Sequence, residues 1–423
     1  MKLAFFDHLA FRFLFILIII SPFYFWRLYH LPQYQIPENQ TVKIRGTVSK
    51  ETYLKGSYQI IEVGSLLIMT NRFPGYFYDD QLIITGKFKK QLPRSFQSQY
   101  IALFPTIEKE EKDFNLIGKS NLKRWLLKTK GHIEERINRF LTEPEASLLL
   151  GIILGMKKQI PENFWHSLRE TGTLHLVVVS GQNVSLLAGM LLELFVYFFK
   201  RRLAIILASL GIILYVVMVG GEPPVVRAGL MALGFYFGQF IGRESHLYSI
   251  LFFTVILMLL LSPLILFDIS FQLSLAATLG IVFIYPLFKE KKSLFILPFL
   301  SEGFWVTISA QLTTLPILLI NFGQISWLSP LVNTLVLPTI PFIMVLGSLL
   351  IISSFISSLL SQLLSWFVWL FLGYFVNVVN FFGNLPYVSW QTEPFSGWWA
   401  WLYYLILILV LIKFYRKGKI ARN

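Results

Sequence analysis

The sequence predicts a polytopic α-helical membrane protein of about ten spans, some broken or re-entrant, with an extracytoplasmic all-β domain of the OB-like type inserted after the first span. Three observations carry this reading. Hydrophobic residues make up 55% of the chain and charged residues only 14%, with 40 phenylalanines, a balance foreign to a soluble domain of this size. From residue 145 onward, apolar stretches of about twenty residues follow one another. Between these and a first apolar run, residues 31–143 are polar, mixed in charge and rich in short alternating patterns.

Residues 1–30 place basic residues before an apolar run, as a signal peptide does, but the run ends in Phe25, Trp26 and Tyr29, where a cleavage site needs small residues. They read as a retained first span. In residues 31–115, "TVKIRGTVS" sets Val42, Ile44 and Val48 on one side and Lys43 and Arg45 on the other, the period of a half-buried strand. "SYQIIEV", "SLLIMT", "DQLIITGKF" and "SQYIALFPTI" supply four more strands, and the five together suit a small OB-like barrel. Residues 116–143 form a connecting segment with Leu122, Trp125, Leu126, Ile133, Ile137 and Phe140 at helical spacing. Basic residues fill much of the rest, so an amphipathic helix lying on the membrane or on the bundle is expected, with DNA contact as the alternative.

Residues 144–423 form the membrane domain, with spans expected near 173–198, 203–220, 224–241, 247–265, 270–288, 304–321, 326–351, 358–384 and 398–414. The pieces around 146–156 and 293–300 are too short to cross. "KRR" at 200–202, "GRESH", "KEKK" and the basic tail fall on one side of this tally. "GGEPP", "NFGQIS" and "YVSWQTEPFSG" fall on the other. Positive charge collects on the cytoplasmic side, so both termini are expected in the cytoplasm and the β domain outside. The net charge of +14 is read first in the same way, with a nucleic-acid partner or an anionic lipid surface as the alternatives, and with no cysteine there is neither a disulfide nor a thiolate metal site.

Polar residues interrupt the spans. "TGTLHLVVVSGQNV" carries His175, Ser180, Gln182 and Asn183; "PPVVRAG" carries Arg227; "FDISFQLS" carries Gln272; "ISAQLTTLP" carries Gln311; "SPLVNTLVLPTIP" carries Asn333. Any one could be an ordinary interhelical hydrogen bond, worth about 0.6 to 2 kcal/mol. Combined with prolines and glycines on several spans, they point to a polar bundle centre and hence to transport. Arg227 could snorkel to headgroups, pair with Glu222, or contact phosphates. Gly234, Gly238 and Gly242 repeat at a spacing expected of helix-packing residues.

Enzyme signatures are missing: there is no GxxxxGKS/T loop, no HxH or HExxH pattern among the six histidines, and no GxSxG elbow at Ser180. No catalytic residue, metal or cofactor is expected. A membrane-embedded hydrolase using Ser180 is the weakest of the readings.

Five segments taken in order resemble the ComEC family of competence proteins: "SLLLGIILG" at 147–155, "LRETGTLHLVVVSGQNVSLLAG" at 168–189, "PPVVRAGLMA" at 223–232, "FDISFQLSLAATLG" at 267–280 and "QLTTLPILLINFGQISWLSPLVNTLVLP" at 311–338. The resemblance implies a channel in the bacterial inner membrane that passes single-stranded DNA during natural transformation, while the other strand is degraded. It makes His175, Ser180, Gln182, Asn183, Arg227, Gln272, Gln311 and Asn333 the expected path lining. Family members commonly add a C-terminal metallo-β-lactamase-like domain. This sequence ends at Asn423 without an HxHxDH run, so a short member is expected, with a separate nuclease, an extracytoplasmic DNA receptor and a cytoplasmic DNA-dependent ATPase as partners beside the membrane lipids. Self-association into a homo-oligomer is left open. A strand also favours basic and aromatic surface at its entrance, for which Lys43, Arg45, Tyr58, Lys87 and Lys89, with Lys90, Tyr76 and Tyr78, are the candidates on the outer domain. The alternative cargo is another polyanion or a polar lipid.

Overall fold

The computed structural model describes residues 21–29, 40–48, 53–55, 58–64, 66–71, 73–76, 80–90, 100–110, 119–156, 160–177, 179–244, 246–289, 298–393, 395 and 397–420. The expected first span and the piece at 293–300 therefore lie largely outside the described residues. The chain divides into two compact units, Met1–Thr129 with Ile241–Asp268, and Lys130–Phe240 with Ile269–Asn423.

Eight strands come first: β1 (Thr41–Thr47), β2 (Tyr53–Lys55), β3 (Tyr58–Val63), β4 (Leu66–Asn71), β5 (Gln81–Lys87), β6 (Lys89–Lys90), β7 (Tyr100–Leu103) and β8 (Thr106–Glu110). They form one sheet in the order β1-β5-β8 and another in the order β2-β3-β4-β7-β6, with β4 and β7 parallel. The alternation read in β1 is present, with Lys43 and Arg45 exposed and Val42 and Ile44 packed against the core. Both sheets contribute to that core, through Leu82 and Ile84 of one and Ile61, Ile68 and Ala102 of the other. A side chain at Gly46 would collide with Val63, so the bare backbone there lets β1 and β3 approach closely. "SQYIALFPTI" makes two strands, not one, because Phe104 turns at a positive φ of 48° and Pro105 cannot donate to a ladder. In the same unit, the Tyr24 hydroxyl of the helical stretch 21–29 donates to the Pro263 carbonyl at 2.9 Å.

Helices follow: α1 (Lys119–Ile137), α2 (Glu145–Leu154), α3 (Glu162–Glu170), α4 (Leu174–Val177), α5 (Gly181–Phe198), α6 (Arg201–Val219), α7 (Pro223–Ile241), α8 (Leu247–Leu261), α9 (Ile269–Phe283), α10 (Tyr285–Lys289) and α11 (Pro298–Phe322). After β9 (Gln324–Ser326) come α12 (Ser329–Val336), α13 (Ile340–Ser353), α14 (Ser358–Gly383), β10 (Ser389–Gln391) and α15 (Gly397–Ile420). Among the described residues, eight helical stretches are long and apolar enough to cross a membrane. The expected span at 247–265 is a 15-residue helix, α8, followed by a 3-10 turn over Pro263–Phe267.

Short α2 is apolar on every side and is buried accordingly. Leu148, Leu149, Ile152 and Leu154 pack with Ile340 and Ile343 of α13 and with Val368, Leu372 and Phe375 of α14. Its end is fixed by Gly155 in the left-handed region at φ 70°, with the Gly155 amide donating to Gly151 and the Met156 amide to Leu150.

The apolar face expected of α1 is realised only in part. Ile133 and Ile137 join the bundle core, whereas Trp125 is 62% exposed. Lys130, expected on the polar face, is buried with its ammonium donating to the Val219 carbonyl at 3.3 Å. A cation there satisfies the carbonyl end of α6, where the helix dipole is negative, and its long apolar stem packs like a hydrophobic side chain.

Helices α9 and α11 meet at Gly280, where any Cβ would strike the Ser309 carbonyl oxygen and the Thr313 hydroxyl. Without a hydrophobic drive between helices in lipid, such close backbone approach supplies the packing. Gly280→Ala is expected to cost about 1–3 kcal/mol by overpacking, read as a lower thermal midpoint of the purified protein. Gly189→Ala, with nothing within 4 Å of its Cβ position, should leave the midpoint unchanged or raise it.

Candidate functional site

The interrupted segment 171–183 borders two polar clusters. At its C-terminal end, Ser180 is extended (φ −97°, ψ 166°) and caps α5: its hydroxyl accepts from the Asn183 amide at 3.4 Å and donates to the Asn183 side-chain oxygen at 3.1 Å. Asn183, fully buried, gives its Nδ2 to the Ile152 carbonyl at 3.2 Å, which ties α5 to the end of α2.

Arg227 lies against this break. Pro223 and Pro224 occupy the first helical positions of α7, where their missing N–H groups do no harm, and Arg227 follows one turn later. The side chain is only 7% exposed. Its Nε donates to Ser274 Oγ of α9 at 2.9 Å and its Nη1 to the Met231 sulfur at 3.4 Å. A Cβ on Gly181 would stand 3.0 Å from Nη2, so a glycine there makes room for the guanidinium beside the start of α5. Arg227 thus neither snorkels nor pairs with Glu222, and among the described residues no carboxylate balances it. A buried cation beside the positive end of a helix is an unbalanced arrangement that an anion would complete.

The second cluster joins α11 and α12 to the start of the segment. Gln311 donates to the Ser326 carbonyl at 3.0 Å and Asn333 to Ser329 Oγ at 3.1 Å. Asn333 Oδ1 and Ser326 Oγ are buried and have no hydrogen-bond partner among the described residues. Gly172, at φ 69°, packs here because a Cβ would stand 2.9 Å from Ser329 Oγ. Next to Gln324, Glu170 accepts from the side chains of Gln324 (3.1 Å), Gln391 (3.3 Å) and Ser389, while Arg169 Nε donates to Gln324 Oε1 at 2.6 Å. These contacts lie on the β9–β10 ladder, in which Gln324 pairs with Gln391 and Ser326 with Ser389.

Of the eight residues expected along a path, Ser180, Asn183 and Arg227 come together in the first cluster, and Gln311 and Asn333 in the second. His175 is exposed, with Nδ1 at 2.9 Å from the Gly172 carbonyl, and Gln182 is exposed without a hydrogen bond to a described residue. Gln272 is half-buried, two residues before Ser274. Two described cavities, of about 210 and 290 Å³, are lined by other residues. Sequence reasoning missed Ser274 and Glu170. The Arg169–Glu170 pair just before an interrupted span was a usable signal, whereas Ser274 is indistinguishable from any helical serine until its partner is known. On the β domain, Lys43 and Arg45 of β1 share an outward face with Lys87, since Thr41 pairs with Lys87 and Lys43 with Thr85. Tyr58 and Lys89 lie on the other sheet, with Tyr58 edge-on to Phe104. Tyr76 is buried, its backbone held by Gln59 at 2.7 and 3.2 Å, so it offers no stacking face. Tyr78 and the Lys90 side chain lie outside the described residues.

Residues 152–417, more than half of the chain and all of both clusters, match the family described as Competence protein. The chain belongs to the competence protein family. It is 28% identical over 229 residues to ComE operon protein 3 of Bacillus subtilis (strain 168), covering 54% of this chain and 29% of that protein. An uncharacterized protein of Aquifex aeolicus (strain VF5) is 30% identical over 200 residues, covering 47% of this chain and 46% of its own length. The uncharacterized protein YcaI of Escherichia coli (strain K12) is 25% identical over 212 residues, covering 48% and 28%. The chain thus spans less than half the length of each of these relatives. No solved structure matches it.

The charge imbalance at Arg227 separates stability from function. Replacing a buried ion by an apolar isostere is often neutral or stabilising, so Arg227→Met should match or exceed the parent protein in thermal midpoint. Ser274→Ala, which leaves the guanidinium with only the thioether, should lose about 1.5–3 kcal/mol. Thermal unfolding of the purified chain checks both.

Proposed function

We propose that this chain forms the membrane passage for a single DNA strand during uptake for transformation, and that the strand's phosphates meet Arg227 at the break between α4 and α5. One observation carries the proposal: a buried guanidinium without a carboxylate stands beside the amino end of α5. A strand carries one negative charge per nucleotide, and a guanidinium offers a phosphate two parallel hydrogen bonds. Membership of the competence family supports DNA as the cargo.

The polar groups of the break hold one another in the described arrangement, Ser180 to Asn183 and Gln311 to Ser326. This is the closed form of the passage. Conduction exchanges these bonds for contacts with phosphate and base edges, at little net cost because each group keeps a partner. The β domain, of OB-like type and on the outer side, receives the strand on the face of Lys43, Arg45 and Lys87. A receptor outside, a separate nuclease and a cytoplasmic DNA-dependent ATPase complete the process.

In a transformable host, deleting the gene should abolish internalisation of labelled DNA. Arg227→Met, at membrane abundance equal to the parent, should lower transformation about ten- to hundredfold, the equivalent of one lost charge-assisted contact. Normal internalisation in the deletion strain, or normal transformation with Arg227→Met, would contradict the proposal.

A further inference from the structure

A second cationic site stands away from the break, at the turn that joins α13 to α14. It is a cavity of about 210 Å³ lined by Arg136 of the last turn of α1, by Arg139 and Phe140 of the turn that follows it, and by residues Ser354 to Ser358. Arg136 is fixed in place, donating to the Ser354 carbonyl and lying over the Phe355 ring at 4.4 Å. The Arg139 side chain makes no hydrogen bond or ion pair with any described residue, and no acidic residue lines the cavity. The 26-residue helix α14 begins here. Its Ser357 cap takes the Leu360 amide, while the amides of Ser358 and Leu359 find no acceptor among the described residues.

Two guanidiniums, a serine hydroxyl at the edge and open amides at a helix start make a phosphate-binding set. What adjoins the set decides the kind of phosphate. Phe355, Ile356 and Leu359 are more than half exposed, and the apolar surface continues along α14 through Leu363, Trp366 and Phe367. A cationic head pocket at a helix-hairpin turn, running into an apolar face along the helix, has the polarity of an anionic phospholipid. A nucleic-acid strand would find no second cation along that face.

We infer that the Arg136–Arg139 cavity binds the phosphate headgroup of an anionic phospholipid, with its acyl chains along the exposed face of α14. The site fixes the end of α1 to the α13–α14 turn, and it does not depend on what crosses the bundle.

The test uses the full chain in nanodiscs containing phosphatidylcholine and a minor fraction of phosphatidylglycerol bearing a diazirine on its acyl chain, with crosslinked peptides identified by mass spectrometry. Crosslinks should fall on residues 355–367, and Arg139→Gln should reduce them at least about tenfold with an unchanged thermal midpoint, as its exposed side chain holds nothing in place. Arg136→Lys, which keeps a charge but not the fork, should give an intermediate loss. Equal crosslinking by a diazirine phosphatidylcholine, or an undiminished signal in Arg139→Gln, would overturn the inference. So would displacement of the lipid by millimolar inorganic phosphate, which would make this a free-phosphate site, or by a single-stranded oligonucleotide, which would make it a DNA contact.

Discussion

Hydrocarbon offers no hydrogen bonds, so every polar group at membrane depth must find its partner inside the protein or at water that the protein admits. The organisation around residues 171–183 follows from that constraint. Ser180 caps α5, Asn183 takes the Ile152 carbonyl near the end of α2, and Gln311 reaches a carbonyl in the strand that follows its own helix. At each of these positions a nearby group supplies the partner, whereas Asn333 Oδ1 and Ser326 Oγ have none among the described residues. The short apolar helix α2 is the common support, since it is packed on all sides and its end lies within reach of Asn183.

Charge is handled differently from polarity in the same unit. Lys130 sits at the carbonyl end of α6, and Arg136 at the carbonyl end of α13, where a cation belongs. Arg227 sits instead beside the amino end of α5. Among the described residues of this unit, two of the three buried or half-buried basic side chains thus complement a helix dipole and one opposes it. The one that opposes it lies in "PPVVRAGLMA", within the residues that match the family, whereas Lys130 and Arg136 lie before them.

The sequence discloses local patterns and conceals the partners. Alternation in "TVKIRGTVS" locates β1 and its outward basic residues, and the apolar run at 147–154 locates a helix too short to cross, because period and length are written in neighbouring residues. Trp125 and Lys130 exchange the roles expected of them: the helix period tells which residues share a face but not which part of the bundle that face meets. Tyr76 is offered by its local pattern as an exposed ring for the same reason, since its partner Gln59 lies seventeen positions away. Glu170 meets Gln324, Ser389 and Gln391 only after β9 and β10 pair. The interruptions were legible as a set, whereas their sorting into two clusters depends on how α9, α11 and α12 pack.

The account rests on water reaching the break at Ser180. The chain contains no cysteine, so a single Ser180→Cys substitution can be followed in membranes with a small water-soluble thiol reagent, which reacts only with a hydrated thiolate. Val184→Cys, at a fully buried position one turn into α5, serves as the dry reference. The account predicts that the thiol at position 180 is alkylated far faster than the one at 184 and is protected by single-stranded DNA. Equal inertness of the two positions, with DNA absent and present, would contradict it.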